Sequence, residues 1–216
     1  NNLSSAMIIA GMTVVLIIVA HPWGTRIAII GGISSVPAVS IIRSVAVQLA
    51  QSSDSFRWGR IQAWLNPESE SSGKGYQIMQ GLYALGSGGL FGKGLGNSAQ
   101  KLGAVPEAQN DMIFTIVCEE LGVFGAAVLT MLFVFLLYRL FFIAQNAPDL
   151  LGALIVVGVM AHIAIQVVLN IAVVTNTIPN TGITLPFISY GGTSVLFLMM
   201  EMGMVLGVSN QIRLER

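Results

Sequence analysis

Apolar residues form long, nearly unbroken runs along this chain. Five runs are long enough, or nearly long enough, to cross a bilayer: 7–20, 27–49, 121–143, 150–174 and 185–208. A weaker run covers residues 78–91. Such runs must be helices, because lipid cannot satisfy backbone N–H and C=O groups. The pattern predicts an all-α, polytopic transmembrane helix bundle of about six spans, the third short and broken by glycines, in a single membrane domain over residues 1–216.

The basic residues of the connections predict which side of the membrane each connection occupies. They fall in the 50–77 loop, at the end of the 121–143 run and in the carboxy-terminal tail: Arg57, Arg60, Lys74, Arg139, Arg213 and Arg216. Basic residues are concentrated on the cytoplasmic side. We therefore expect a cytoplasmic 50–77 loop, both chain ends inside, and two extracytoplasmic segments at 86–120 and 176–192.

Composition agrees with a membrane protein and narrows its chemistry. The chain is 54% apolar and 9% charged, with a mean hydropathy of +0.78. Ten basic and ten acidic residues balance, so charge gives no indication of a nucleic-acid partner. Cys118 is the only cysteine, which excludes an intrachain disulfide and a cysteine-based zinc site. The chain opens without an initiating Met or a basic n-region, so we expect a fragment and no signal peptide.

Polar residues within the apolar runs point to the interior of the bundle. Four of them recur at four-residue spacing on one face of the 150–174 run: Gly158, His162, Gln166 and Asn170. Hydrogen bonds between helices and contact with a substrate are both consistent with this face. Arg43 and Glu201 are charges within spans that either pair with each other or line the interior, and a snorkelling Arg43 is the alternative.

The 86–120 segment combines glycines with charges in an otherwise apolar chain. Its basic and acidic residues are Lys93, Lys101, Glu107, Asp111, Glu119 and Glu120. It is not a nucleotide-binding P-loop, because Gly94 occupies the place of the Ser or Thr that binds magnesium. Glycine backbone N–H groups could wrap a pyrophosphate or a sugar, with Lys93 as a cation. A flexible external loop is the alternative.

Asp111 precedes an apolar helix for which Asn110 is a suitable N-cap. If that helix is continuous, Asp111, Thr115 and Glu119 lie on one face. Two interpretations of Asp111 follow from the residues alone. It is either a first-turn acid that complements the helix dipole or a general base at the membrane boundary.

Several motifs occur in a fixed order along the chain. They are Gly75-Tyr76-Gln77, the glycine-rich residues 86–96, Gln100-Lys101, Pro106-Glu107-Ala108-Gln109-Asn110-Asp111-Met112-Ile113-Phe114, Glu119-Glu120-Leu121-Gly122, and residues 181–194. This series resembles the SEDS family, which comprises FtsW, RodA and SpoVE. The Gln-Lys pair and the Asn-Asp-Met-Ile-Phe sequence are more similar to the FtsW/SpoVE branch than to RodA.

The resemblance implies a bacterial peptidoglycan glycosyltransferase that polymerises lipid II into glycan strands, during cell division or sporulation, at the extracytoplasmic face of the plasma membrane. It implies that Asp111 is the catalytic carboxylate, which deprotonates the 4-hydroxyl of the acceptor sugar. Lys93 and Lys101 would stabilise the developing pyrophosphate charge. Further substrate contacts are implied for Gln100, Glu107, Glu120, Thr181, Ser189 and Tyr190.

The resemblance also implies a ten-span family fold, of which this chain supplies the last six spans. Its implied partners are lipid II, membrane lipid, a class B penicillin-binding protein (a transpeptidase) and other divisome proteins at the septum, without nucleic acid. The resemblance implies no particular cofactor, and a divalent cation, Mg²⁺ or Mn²⁺, could serve the acidic residues. Two alternatives remain open: a lipid II flippase that uses the intramembrane polar residues, and a non-catalytic division scaffold.

Overall fold

The computed structural model describes residues 3–21, 63–69, 74–100 and 108–212. These ranges contain no strand, which confirms the all-α prediction. The elements, in chain order, are α1 (Leu3–Ala20), a 3-10 turn (Pro67–Ser69), α2 (Lys74–Ser87), α3 (Ile113–Gln145), α4 (Leu150–Val174) and α5 (Gly192–Asn210). Of these, α3, α4 and α5 are long and apolar enough to cross a membrane, and α1 contributes a shorter apolar helix. The chain is a multi-pass membrane protein; its predicted 27–49 run lies outside the described residues.

The central helix of the bundle is α4. It packs against α1, α3 and α5, and 44% of its apolar stretch is buried, against 17% in α3 and in α5. Apolar side chains of the α3, α4 and α5 helices form one core, to which α4 contributes Val156 and Ile163. The Asp149 side chain caps α4 by accepting a hydrogen bond from Gly152 N–H at 3.1 Å.

Helices α1 and α4 run antiparallel. Midway along α1, Gly11 lies beside Ile165, whereas further along it Leu16 lies beside Gly158. The start of α1 is therefore at the end of the bundle that carries the 176–192 loop. A chain of six crossings would make these two helices parallel, so one predicted crossing is missing between them.

The missing crossing is the predicted span at 78–91. Its place is taken by α2, whose 14 residues extend about 21 Å and fall short of the roughly 30 Å hydrocarbon core. The first turn of α2 contacts Asp111 through Gln77, and its last residue, Ser87, contacts Glu119. Helix α2 therefore lies alongside the first turns of α3 and does not form a span of its own.

The described part of the 50–77 loop lies at the same end of the bundle as the 176–192 loop. Trp64 Nε1 donates a hydrogen bond to the Asn176 carbonyl at 3.0 Å. The prediction that these loops occupy opposite sides is therefore wrong. The prediction that both chain ends share a side is also wrong, because α1 begins at the end of the bundle that carries the 176–192 loop, whereas α5 ends beside Gly152 at the start of α4. The physical reason is that the prediction counted α2 as a crossing. Because α2 does not cross, the segments before and after it lie on the same side of the membrane.

Helix α3 is interrupted at Gly122, where φ is 69° and ψ is −168°. A continuous helix would hydrogen-bond Val123 N–H to the Glu119 carbonyl and Phe124 N–H to the Glu120 carbonyl. In the structure the turn of residues 88–96, which we call the glycine turn, takes over all four groups. Lys93 and Gly94 N–H donate to the Glu119 and Glu120 carbonyls, and the Gly89 and Leu90 carbonyls accept from Val123 and Phe124, at 2.9 to 3.1 Å.

This exchange requires glycine at the points of closest approach. A Cβ atom on Gly88 would overlap the Cys118 carbonyl, and one on Gly92 would overlap the backbone of residues 120–122. Gly122 has the left-handed φ that disfavours other residues, and a Cβ there would overlap the backbone of Leu90 and Gly92. Packing against α3 therefore explains Gly88 and Gly92, whereas Gly89, Gly94 and Gly96 have positive φ values.

We expect Gly122→Ala to lower the thermal unfolding midpoint of the full-length protein in detergent. The left-handed backbone alone costs about 1–2 kcal/mol for a residue with a Cβ, and the overlap with the glycine turn adds to this. Gly207→Ala on α5 is the matched control, because a Cβ there meets nothing within 4 Å. Alanine in place of glycine inside a helix stabilises by about 0.5–1 kcal/mol, so equal midpoints for the two variants would contradict the prediction.

Candidate active site

Asp111 lies in the turn that leads into α3. It is 9% exposed, and α3 begins two residues later at Ile113. The helix has Met112 at its N-cap position without a side-chain cap, so the prediction of an Asn110 cap is wrong. The face predicted for the continuing helix is partly present, because Thr115 and Glu119 are both fully buried. Asp111 itself is not a residue of the first helical turn.

Two amide side chains line up behind the Asp111 carboxylate. Gln77 Nε2 donates a hydrogen bond to Asp111 Oδ1 at 3.3 Å, and Asn180 Nδ2 donates to Gln77 Oε1 at 3.4 Å. Because the Asn180 amide donates to the oxygen of Gln77, the Gln77 amide presents its N–H to the carboxylate. Helix α2, the turn before α3 and the 176–192 loop thus converge on Asp111.

Asn170 fixes the backbone of the same site from within α4. This fully buried side chain donates from Nδ2 to the carbonyls of Asp111 and Ile183, each at 2.8 Å. A further hydrogen bond runs from Tyr190 N–H to the Gln109 carbonyl at 2.8 Å. The 176–192 loop is therefore held against the turn that carries Asp111.

The predicted substrate contacts of the 176–192 loop differ in their surroundings. Ser189 is buried, and its Oγ accepts a hydrogen bond from Leu185 N–H at 2.7 Å, so it stabilises the loop. Tyr190 is 75% exposed and borders a cleft of about 510 Å³ that Gln109 also lines. Thr181 borders a separate polar cavity of about 190 Å³ together with Gln166. Tyr190 is thus the member of the set that faces open space next to the Asp111 turn.

A second polar cluster surrounds the fully buried carboxylate of Glu119. Lys93 Nζ lies 2.7 Å from its Oε1, and the Ser98 hydroxyl donates to its Oε2. Ser87 Oγ and Gln100 N–H complete the set at 3.4 Å. A buried carboxylate needs such partners. The cluster joins the end of α2, the glycine turn and residues 98–100 to α3. Lys93 through its side chain and Gln100 through its backbone N–H therefore both contact Glu119.

Other predicted residues are found in separate places. Glu120 is 9% exposed, and its backbone carbonyl receives the Gly94 N–H at 2.9 Å. His162 Nδ1 lies 2.9 Å from both carboxylate oxygens of Glu201, which joins α4 to α5 within the bundle. This bond supports the interhelical interpretation of His162. Three predicted residues lie outside the described residues: Arg43, Lys101 and Glu107.

The described ranges hold no group of three side chains of the His, Cys, Asp and Glu types that could bind a metal ion. The divalent cation stays an expectation. Sequence reasoning missed Asn180 and Ser98, and it noticed Gln77 only as part of a motif. The available signal for Gln77 was a polar residue in the first turn of a short helix that a glycine-rich stretch follows. No sequence signal identified Ser98 or Asn180.

We expect Asn170→Leu to destabilise the site, because the Asp111 and Ile183 carbonyls would lose their shared donor in a buried position, at a cost of about 1–3 kcal/mol. The measurements are the thermal midpoint of the full-length protein and the rate of proteolysis within the 176–192 loop. Gln166→Leu, one turn earlier, is the control, since its buried Oε1 has no partner among the described residues. Equal effects of the two substitutions would contradict the role of Asn170.

Comparison with known proteins agrees with this architecture. The model of the cell cycle protein family FtsW/RodA/SpoVE matches residues 1–214. Stage V sporulation protein E of Bacillus subtilis is 45% identical over 98% of this chain and 56% of its own length. A probable peptidoglycan glycosyltransferase FtsW of Trichlorobacter lovleyi is 38% identical over 99% of this chain and 54% of its own length.

A solved structure from work on polymerization and crosslinking by a peptidoglycan synthase complex has a similar fold. Its TM-score is 0.70 at 25% identity, over 100% of this chain and 57% of that one. The chain thus spans about half the length of the curated relatives it matches. The match of the family model over nearly the whole chain shows its membership: the chain belongs to the FtsW/RodA/SpoVE family of cell cycle proteins.

Proposed function

We propose that this chain forms part of a peptidoglycan glycosyltransferase that polymerises lipid II, with Asp111 as its catalytic carboxylate. The observation that carries the proposal is the setting of Asp111: a nearly buried carboxylate, held by three segments, at one end of a membrane-spanning bundle. Relatives named as probable peptidoglycan glycosyltransferases support it. Because the chain covers about half of them, the activity is that of the full-length protein.

In the proposed reaction, the 4-hydroxyl of the acceptor sugar attacks the anomeric carbon of the growing glycan strand. Its proton passes to Asp111, and the bond from the anomeric carbon to the pyrophosphate oxygen breaks. Undecaprenyl pyrophosphate leaves with the electron pair of that bond. Gln77 N–H and the Asn170 bridge hold the carboxylate and its backbone in position during the transfer.

This assignment places the Asp111 end of the bundle at the extracytoplasmic face of the bacterial plasma membrane, at the division septum. The cleft of about 510 Å³ between Gln109 and Tyr190 opens directly beside the Asp111 turn and offers room for a sugar. The solved structure of similar fold comes from a peptidoglycan synthase complex. We therefore include a class B penicillin-binding protein as a partner of the full-length protein.

We expect Asp111→Asn to abolish lipid II polymerisation, because an amide cannot accept the proton of the acceptor hydroxyl. The assay compares full-length proteins, purified with a class B penicillin-binding partner, at equal folded amounts and measures glycan strands by gel electrophoresis. Glu68→Gln is the matched control, since it makes the same chemical change at an exposed carboxylate. Strands from Asp111→Asn at the wild-type rate would remove Asp111 from the chemistry and favour transport or scaffolding.

The paired geometry of Lys93 and Glu119 predicts a structural role for Lys93, not contact with pyrophosphate. We expect Lys93→Met to lower the thermal midpoint, because it leaves a buried carboxylate without its cation. The double variant Lys93→Met with Glu119→Gln removes both charges and should recover most of the stability and the polymerisation rate. A double variant that is stable but inactive would contradict the structural role and support the stabilisation of the leaving pyrophosphate by Lys93.

A further inference from the structure

The glycine turn carries a patch of large apolar side chains that the described residues leave mostly exposed. Leu90, Phe91 and Leu95 are 69%, 82% and 76% exposed. The patch continues onto α3, where Val123 and Phe124, the residues bonded to the turn, are 58% and 66% exposed. An exposed surface of this kind in water would be unfavourable, so it indicates an apolar environment.

Several backbone groups of the turn form hydrogen bonds within the protein, as an apolar environment requires. The N–H groups of residues 92–94 donate to protein carbonyls, and the carbonyls of residues 88–90 accept hydrogen bonds from the turn itself and from α3. Irregular backbone enters a bilayer only when its hydrogen bonds are satisfied by protein. The charge on the turn is likewise compensated, because Lys93 pairs with Glu119.

The turn also meets α3 at the level where the surface of that helix becomes apolar. Glu119 and Glu120 precede this level, and after them the exposed residues of α3 include Val123, Phe124, Val128, Met131, Leu132, Val134 and Phe135. Helix α3 is a membrane span with only 17% of its apolar stretch buried, so much of this face is available to lipid. The apolar patch on the glycine turn is continuous with this exposed face of α3.

We propose that the glycine turn inserts into the bilayer and that Leu90, Phe91 and Leu95 contact the acyl chains of membrane lipid. The continuity of the patch with the lipid-facing surface of α3 argues for lipid as its occupant. The turn then anchors the segment between α2 and α3 at the membrane surface. This inference does not depend on the proposed activity.

Spin labels on the full-length protein in lipid nanodiscs test the insertion. Phe91→Cys and Ala99→Cys are both at exposed positions of the same segment, but Ala99 lies beyond the apolar patch. Leu132→Cys on the exposed face of α3 provides a lipid reference, and the native Cys118 is buried. The measurement is the collision rate of each label with oxygen, which concentrates in lipid, and with a water-soluble nickel complex.

We expect the ratio of oxygen to nickel accessibility at position 91 to be several-fold higher than at position 99 and close to that at position 132. Equal ratios at positions 91 and 99 would place the turn in water and overturn the proposal. Low accessibility of position 91 to both reagents would also overturn it, because protein would then cover the patch. The Phe91→Ser substitution gives a second check. The thermal midpoint of this variant in detergent should change little. In nanodiscs its turn should insert less, so a spin label at position 95 of the same variant should become more accessible to the nickel complex.

Discussion

The structure depends on an exchange of backbone hydrogen bonds at the break in α3. Gly122 ends the first segment of the helix, and the glycine turn supplies partners for the four groups that the break exposes. An unpaired backbone group in an apolar environment is costly, so neither the broken helix nor the turn would be stable without the other. The ion pair of the buried Glu119 carboxylate with Lys93 secures the same contact through side chains.

The same docking determines where the proposed catalytic group lies. Because the turn is attached to α3 on one side and to α2 on the other, it holds α2 alongside the first turns of α3, and Gln77 reaches Asp111. Helix α4 contributes Asn170, whose amide joins the Asp111 turn to the 176–192 loop. The site is thus held largely by the amide side chains of Gln77, Asn180 and Asn170, together with the backbone bond from Tyr190 N–H to the Gln109 carbonyl.

Much of the fold could be predicted from the sequence, and the errors have physical causes. The runs at 121–143 and 150–174 correspond to the membrane part of α3 and to α4, since long apolar stretches have few alternatives in lipid. The 78–91 run was wrong as a span because hydropathy cannot distinguish a crossing helix from one that packs against a neighbour. Asp111 could be identified because it lies in a sequence motif. Its contacts with Gln77 and Asn170 join residues 34 and 59 positions apart, and no local sequence pattern indicates such pairs.

The first segment of α3 also determines how far Asp111 lies from the apolar surface of that helix. Its apolar surface begins near Leu121, and the eight residues between Ile113 and Leu121 rise about 12 Å along the helix axis. The headgroup layer on each side of a bilayer is about 5–8 Å thick. A carboxylate at the top of this helix therefore stands just above the headgroups. On the lipid-linked sugar of the proposed reaction, the pyrophosphate lies among the headgroups and the sugar lies above them. The length of this largely buried helical segment would then determine which part of the molecule Asp111 reaches.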